Sequence, residues 1–456
     1  MTERVSPEAV SELRGVFSGQ VLEPSDGGYD EARQVHNGLI DKRPALIARC
    51  QGTADVADAV RFGRDHGMEI SVRGGGHNVA GRAVTEGGLM IDLAPMRGVH
   101  VDPGARTARA QGGVTWHEYN RATHLYGLAS TGGTISTTGI AGLTLGGGVG
   151  WLMGAQGMAI DALRSVELVT ADGNVQVVDQ DSDPDLFWAV RGGGGNFGVA
   201  SWFEYQTQPL TNVLGGLVAY PLAGAKSVLQ AYQDVTTNCP DELAVGCALV
   251  HAPDGSGAKI VAPVVCHIGD QTQAEKDVQP LREAGTPLMD AIQPMPYPTM
   301  NTLLDAGFPR GARNYWKSAF FKELDQGAMD VMVEALEKAP SIMSGMLIEH
   351  FHGHVTRVAP TDTAFPHRQE GYSLVLIAEW AEPSADEANI NWARESFRAL
   401  APYMADAFYV NYLDNDDVDR VRAAYGPNWE RLVRLKGRYD PDNVFHLNQN
   451  IEPSVT

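Results

Sequence analysis

Cysteine is scarce: four residues in 456, at Cys50, Cys239, Cys247 and Cys266, with no CxxC pair among them. That excludes a zinc ribbon and a thioredoxin-like redox motif, and so few thiols in so long a chain fit a reducing compartment, although a Cys239–Cys247 bridge stays open. Positive charge is also short. Lys and Arg total 35 against 56 Asp and Glu, a formal net charge of −21. Phosphate contacts need clustered cations, so nucleic acid is excluded as the main partner. The first residues, MTERVSPEAVSELRGVF, lack the apolar core of a secretory leader. The longest stretch free of Asp, Glu, Lys and Arg, residues 122–160, is long enough to cross a bilayer, but Gly, Ser and Thr interrupt it throughout. A lipid-exposed helix does not tolerate that composition, so no membrane partner and a cytoplasmic location are expected. No fixed-period repeat, low-complexity linker or GxxxxGK[ST] loop occurs.

What the chain has in excess is glycine, 51 residues clustered before residue 198. Thr53 caps a helical pattern, TADVADAVRFGRDHG, with Val56, Val60 and Phe62 on one side. The alternating MEISVR then runs into Gly74-Gly75-Gly76-His77, a β-α-β unit ending in a glycine loop. GGLMIDL, VELVTADGNVQVV with Asp172-Gly173 at its tip, and VASWFEYQ read as strands. Near Leu210 glycine thins. Apolar strands (GLVAYPL, ELAVGCALV, KIVAPVVCHI, SGMLIEHFHGHV, YSLVLIAEW) then alternate with amphipathic helices (QAEKDVQPLREAG, GAMDVMVEALEKA, DEANINWARESFRALAPYM), which places a domain boundary there.

The literal GxGxxG, at Gly193, Gly195 and Gly198, follows a short helix and precedes a strand, the reverse of a dinucleotide fingerprint. Arg73-Gly74-Gly75-Gly76-His77-Asn78 is better placed, directly after a strand. Glycines without Cβ let successive backbone N–H groups line a diphosphate; the alternative is a tight turn needing positive φ. A second block, from Thr131-Gly132-Gly133-Thr134 to Gly146-Gly147-Gly148-Val149-Gly150, suits a long, flat, partly polar ligand.

Four blocks in order, RGGGHN, GGTISTTGIAGLTLGGGVGWL, DLFWAVRGGGGNFGV and YDPDNVFHLNQNIEP, resemble the FAD-linked oxidases of the berberine-bridge-enzyme type, within the vanillyl-alcohol-oxidase superfamily. The resemblance covers essentially the whole chain. It implies an α+β, two-domain fold: an FAD-binding domain over 1–210, completed by 415–456, and a substrate domain over 211–414 whose large antiparallel sheet is backed by helices. It implies FAD joined by a single covalent 8α bond to His77. Ile135 stands where bicovalent relatives carry a second linking cysteine. The diphosphate is then expected on Arg73, Gly74, Gly75, Gly76, His77 and Asn78. Adenine and ribityl are expected along Thr137, Thr138, Gly139, Gly142, Gly146 and Gly148, with Val199 nearby. Thr144 falls where relatives tune O2 access, and Asn448 and Asn450 belong to the segment that closes over the isoalloxazine.

Oxidation requires loss of a hydride to the flavin and of a proton to a base. Tyr409-Val410-Asn411-Tyr412 matches the family's YxNY strand, and Tyr412, then Tyr409, is expected at the flavin. A tyrosine base needs a depressed pKa or a polarising neighbour; core packing is the alternative. On a strand, His350, His352 and His354 share one face and Glu349 takes the other. His350 and His352 are candidate bases, a pocket-lining face or metal ligands; with a flavin supplying the redox chemistry, no metal is expected. Ser373 occupies the position of the carboxylate base that the family's namesake carries on its later strand. The expected reaction is two-electron oxidation of a C–OH or C–N carbon in a small secondary-metabolite alcohol or amine, with O2 as acceptor. The alternatives are a dehydrogenase with another acceptor and an oligosaccharide oxidase.

Overall fold

The computed structural model describes residues 5–454. The N-terminal part holds two larger sheets and a two-stranded pairing of Leu128–Ala129 with Gln208–Pro209. In the first, β1 (Gln20–Leu22) pairs antiparallel with β2 (Leu46–Arg49), while β2 and β3 (Ile70–Arg73) each run parallel to β4 (Leu89–Asp92), which lies between them. The crossover from β2 to β3 is α1 (Thr53–Asp65), whose Val56, Val60 and Phe62 are buried as its period requires. Its start differs from expectation: Gly52 holds the cap position and Thr53 is already helical. Asp55 instead organises the turn, accepting from Ser18 N at 2.8 Å and Gln51 N at 2.8 Å.

The second sheet is antiparallel, with β5 (Val99–Asp102), β6 (Thr107–Gln111), β7 (Leu163–Val169), β8 (Val175–Asp179) and β9 (Val199–Gln206) in the order β5-β6-β9-β7-β8. The hairpin expected around Asp172-Gly173 joins β7 to β8, with Gly173 at φ 78°.

Sheet membership changes after Gln206. The third sheet has eight strands, all antiparallel. Its long members are β10 (Asn212–Pro221), β11 (Leu243–His251), β12 (Lys259–His267), β13 (Arg313–Phe321), β14 (Gly345–Phe351) and β15 (Gly371–Trp380), ordered β10-β12-β11-β14-β15-β13. Helices α2 (Ala225–Thr237), α3 (Gln271–Arg282), α4 (Gln326–Glu337) and α5 (Asp386–Leu400) cover one face, burying Val228, Leu229, Met329, Met332, Trp392 and Ala393 against it. The other face, with Ala248, Leu347, Val375 and Ile377, turns toward the N-terminal part. Lying inside the strand order, β14 and β15 are apolar nearly throughout and every position in them is buried. No helix among the described residues is long and apolar enough to cross a membrane.

Two sequence expectations shift here. The Tyr409–Tyr412 segment is a 3₁₀ turn over Val410–Tyr412, not a strand, closed by Tyr412 N donating to Tyr409 O at 2.9 Å. The histidine strand ends at Phe351; Gly353 turns the chain at φ 64° and His354 starts a short helix, His354–Arg357. His354 therefore leaves the row formed by His350 and His352.

Candidate active site

One long cavity of ≈ 280 Å³ runs between the glycine loops and the uncovered face of the large sheet. The next is ≈ 20 Å³, room for about one water. Strand β3 delivers the first glycine loop to the cavity. Here glycine is required by close approach: a Cβ on Gly75 would lie 2.4 Å from Gly139 N, and one on Gly139 would lie 2.3 Å from Gly75 N. The two loops touch backbone to backbone, so their amides line the cavity together. Gly74, Gly75, Gly76, His77, Asn78, Thr138, Gly139, Gly142, Val199, Asn448, Tyr409 and Tyr412 all line it.

His77 is placed by three neighbours. Its Nε2 lies 3.0 Å from Thr137 Oγ1, its Nδ1 lies 3.5 Å from Thr138 Oγ1, and His36 stacks on the ring at 3.9 Å. Burial, with His36 and Arg310 close by, holds the imidazole well below its ordinary pKa and so favours its neutral form. Across the cavity, Asn448 Oδ1 and Gln449 Oε1 are buried without partners, as is Arg82 Nε, and all three residues line the wall. Unpaired buried polar atoms beside an amide-lined cleft fit a long polar ligand such as FAD.

Several expected cofactor residues lie elsewhere. Arg73 does not reach the cavity: its guanidinium clasps Asp92 through Nε at 2.9 Å and Nη2 at 2.7 Å, anchoring the loop to β4. Thr144 is fully buried and bonds Tyr205 Oη at 2.8 Å, so its hydroxyl is turned from the cavity. Gly146 is a packing glycine whose Cβ would lie 2.1 Å from Asn411 Oδ1. Gly148 donates its N–H to Tyr409 Oη at 2.8 Å. Thr137 acts through His77, and Asn450 is absent from the wall.

A buried carboxyl, Glu349, stands behind one end of the cavity. Glu349, on β14, accepts from Tyr412 Oη at 3.2 Å on both carboxylate oxygens and from Thr134 Oγ1 at 3.2 Å. Tyr412 and Thr134 line the cavity; Glu349 sits directly behind them. Burial pushes its carboxyl up to about 7, against the opposing pull of these hydroxyls. In the β14–β15 register Glu349 lies directly opposite Ser373. A carboxyl group thus stands beside Ser373, one strand away. Only the alternation of β14, with a carboxylate among Leu347 and Ile348, signals it in sequence.

Burial raises Tyr409 to about 12 and Tyr412 well above its ordinary value, which disfavours a phenolate at either position. Tyr409 instead clasps the glycine loop, accepting from Gly148 N and from Asn411 Nδ2 at 2.9 Å. His350 and His352 lie away from the large cavity; their rings stack on each other at 4.5 Å, and His350 packs against Tyr372. Around the reaction end stand Phe308, Trp316, Leu347, Val375, Ile377 and Ile135, an apolar wall.

The tail is held by a buried ion pair. Lys436 Nζ bonds Asp440 Oδ2 at 2.6 Å and Asn196 O at 2.8 Å, while Asp440 accepts from Val444 N and Phe445 N. This ties the terminal segment to the Gly193–Gly198 loop, which precedes β9 and closes the cavity's far side.

These features define a two-domain flavoenzyme of the vanillyl-alcohol-oxidase type. A family model described as FAD binding domain matches residues 44–179, and one described as berberine and berberine like matches residues 408–452. Over 461 aligned residues the chain is 33 % identical to (R)-6-hydroxynicotine oxidase of Paenarthrobacter nicotinovorans, covering 96 % of this chain and 97 % of that protein. The crystal structure of 6-hydroxy-D-nicotine oxidase from Arthrobacter nicotinovorans superposes with a TM-score of 0.86 at 31 % identity, covering 96 % and 98 % of the two chains. Berberine bridge enzyme from Eschscholzia californica shares the fold, with a TM-score of 0.87 at 22 % identity over 98 % and 99 %. The chain belongs to the berberine-bridge-enzyme-like family of FAD-linked oxidoreductases.

Proposed function

We propose that the protein is an oxidase that removes two electrons from a C–OH or C–N carbon of a small, largely apolar alcohol or amine, with O2 as acceptor. FAD held in the long cavity and tethered to His77 would supply the two-electron acceptor. Gly74 to Asn78 and Gly139 would hold the diphosphate with backbone amides, and Asn448 and Gln449 would meet the ring system. His77, held neutral between His36, Thr137 and Thr138, is the group poised to form the single covalent bond; Ile135 carries no thiol for a second.

The observation that carries the reading is the Tyr412–Glu349 pair at the cavity wall. Tyr412 lines the cavity and its Oη donates to a carboxylate that has no ion-pair partner among the described residues. As the substrate loses its O–H or N–H proton to Tyr412, Tyr412 passes its own to Glu349. The apolar wall from Phe308 to Ile377 excludes water and favours a compact substrate over an oligosaccharide.

The test is anaerobic bleaching of the bound flavin by a panel of cyclic amines, aromatic alcohols and sugars. The expected result is bleaching by an amine or alcohol, with Glu349→Gln slowing it about 10²–10⁴-fold at unchanged flavin content. Bleaching by sugars alone, or an undiminished Glu349→Gln rate, overturns the reading.

A further inference from the structure

We propose that Cys239, His350 and His352 form a zinc site outside the flavin cavity. Cys239 lies in the turn between α2 and β11, His350 is the penultimate residue of β14, and His352 follows the strand's end. One ligand atom from each lies within 4.8 Å of the other two, the only such trio of candidate ligands among the described residues. The imidazoles are 3 % and 4 % exposed, whereas Cys239 is partly open to solvent and gives the ion a way in.

Two observations point to a missing ligand. His350 Nδ1 is buried with no hydrogen-bond partner. The ring nitrogens of His352 have only long contacts, 3.5 Å to His350 O and 3.4 Å to Pro240 O, near the limit of a hydrogen bond. Three carboxylates, Asp241, Asp277 and Glu370, lie near the thiol, with Asp241 paired to Arg357 at 2.5 Å and Asp277 to His267 at 2.9 Å.

A Cys-His-His set suits zinc, with water in the fourth position. Tetrahedral ligand atoms stand about 3.5 Å apart, so binding draws the trio inward by roughly 1 Å. Rotation of Cys239 out of its 3.1 Å bond to Leu243 O supplies that movement. The thiol proton leaves to solvent as the Zn–S bond forms. No electrons are transferred. The metal would pin the Pro240–Asp241 turn to the end of β14, one residue from Glu349.

The experiment is equilibrium dialysis of the flavin-loaded, full-length protein against Zn²⁺, with metal measured by mass spectrometry and thermal unfolding followed in parallel. The expected result is one zinc per chain and a raised unfolding midpoint. Cys239→Ser and His350→Gln should each weaken binding at least tenfold, while His354→Gln, outside the trio, should not. Flavin content per chain verifies that each variant is folded. Absence of retained zinc in the wild type, or wild-type affinity in Cys239→Ser, refutes the site.

Discussion

In the proposed mechanism the proton ends on Glu349, which accepts from the Tyr412 and Thr134 hydroxyls and has no ion-pair partner among the described residues. Tyr412→Phe should cut the route from substrate to Glu349, lowering the rate of flavin reduction about 10²-fold or more while leaving flavin incorporation intact. An unchanged reduction rate in stopped-flow mixing would show that the proton leaves by another path. A second buried acid, Glu379 on β15, serves no such purpose. Both its oxygens are unpartnered and fully buried, and burial pushes its carboxyl up to about 8. In the folded state it keeps a proton that the unfolded chain releases near its ordinary value of 4.5. Its contribution to stability is therefore greatest below that value and declines as pH rises toward 8. Glu379→Gln should gain stability relative to the wild type between pH 5 and pH 8, read as a smaller fall in unfolding midpoint. A parallel fall in both proteins would contradict this.

The elements that shape the cofactor cavity are loops fixed by close backbone approach and by one buried ion pair. Gly139→Ala puts a methyl group 2.3 Å from Gly75 N. The two loops must part, so the variant should express with little or no flavin, measured as absorbance per chain; full flavin loading would show that the walls tolerate separation. Lys436→Met leaves Asp440 charged and unpaired in a site where both partners are 0 % exposed. That should cost about 3–5 kcal/mol of stability in denaturant unfolding. These elements also mark the limit of the sequence. RGGGHN after an alternating strand announces a ligand loop, because glycine runs and strand periodicity are local signals. That Arg73 turns to Asp92, that Thr144 turns to Tyr205, and that Gly146 packs on Asn411 depends on residues far along the chain. The same holds for Glu349. Its side of β14 was legible from alternation, but its partner Tyr412 is 63 residues away on a 3₁₀ turn.

For the whole molecule, one sheet divides the work. Its helix-covered face stabilises the fold, and its bare face supplies the apolar wall opposite the glycine loops. The change of sheet after Gln206 follows the glycine-poor composition that begins near Leu210, which is why the architecture was readable from pattern and family resemblance together. The central claim is that this cavity holds FAD joined to the protein through His77. A mass spectrum of the denatured chain, followed by peptide mapping, tests it directly. The expected result is a chain heavier by one flavin, with the adduct on the peptide that carries His77. A bare chain mass, or an adduct on any other peptide, would contradict it.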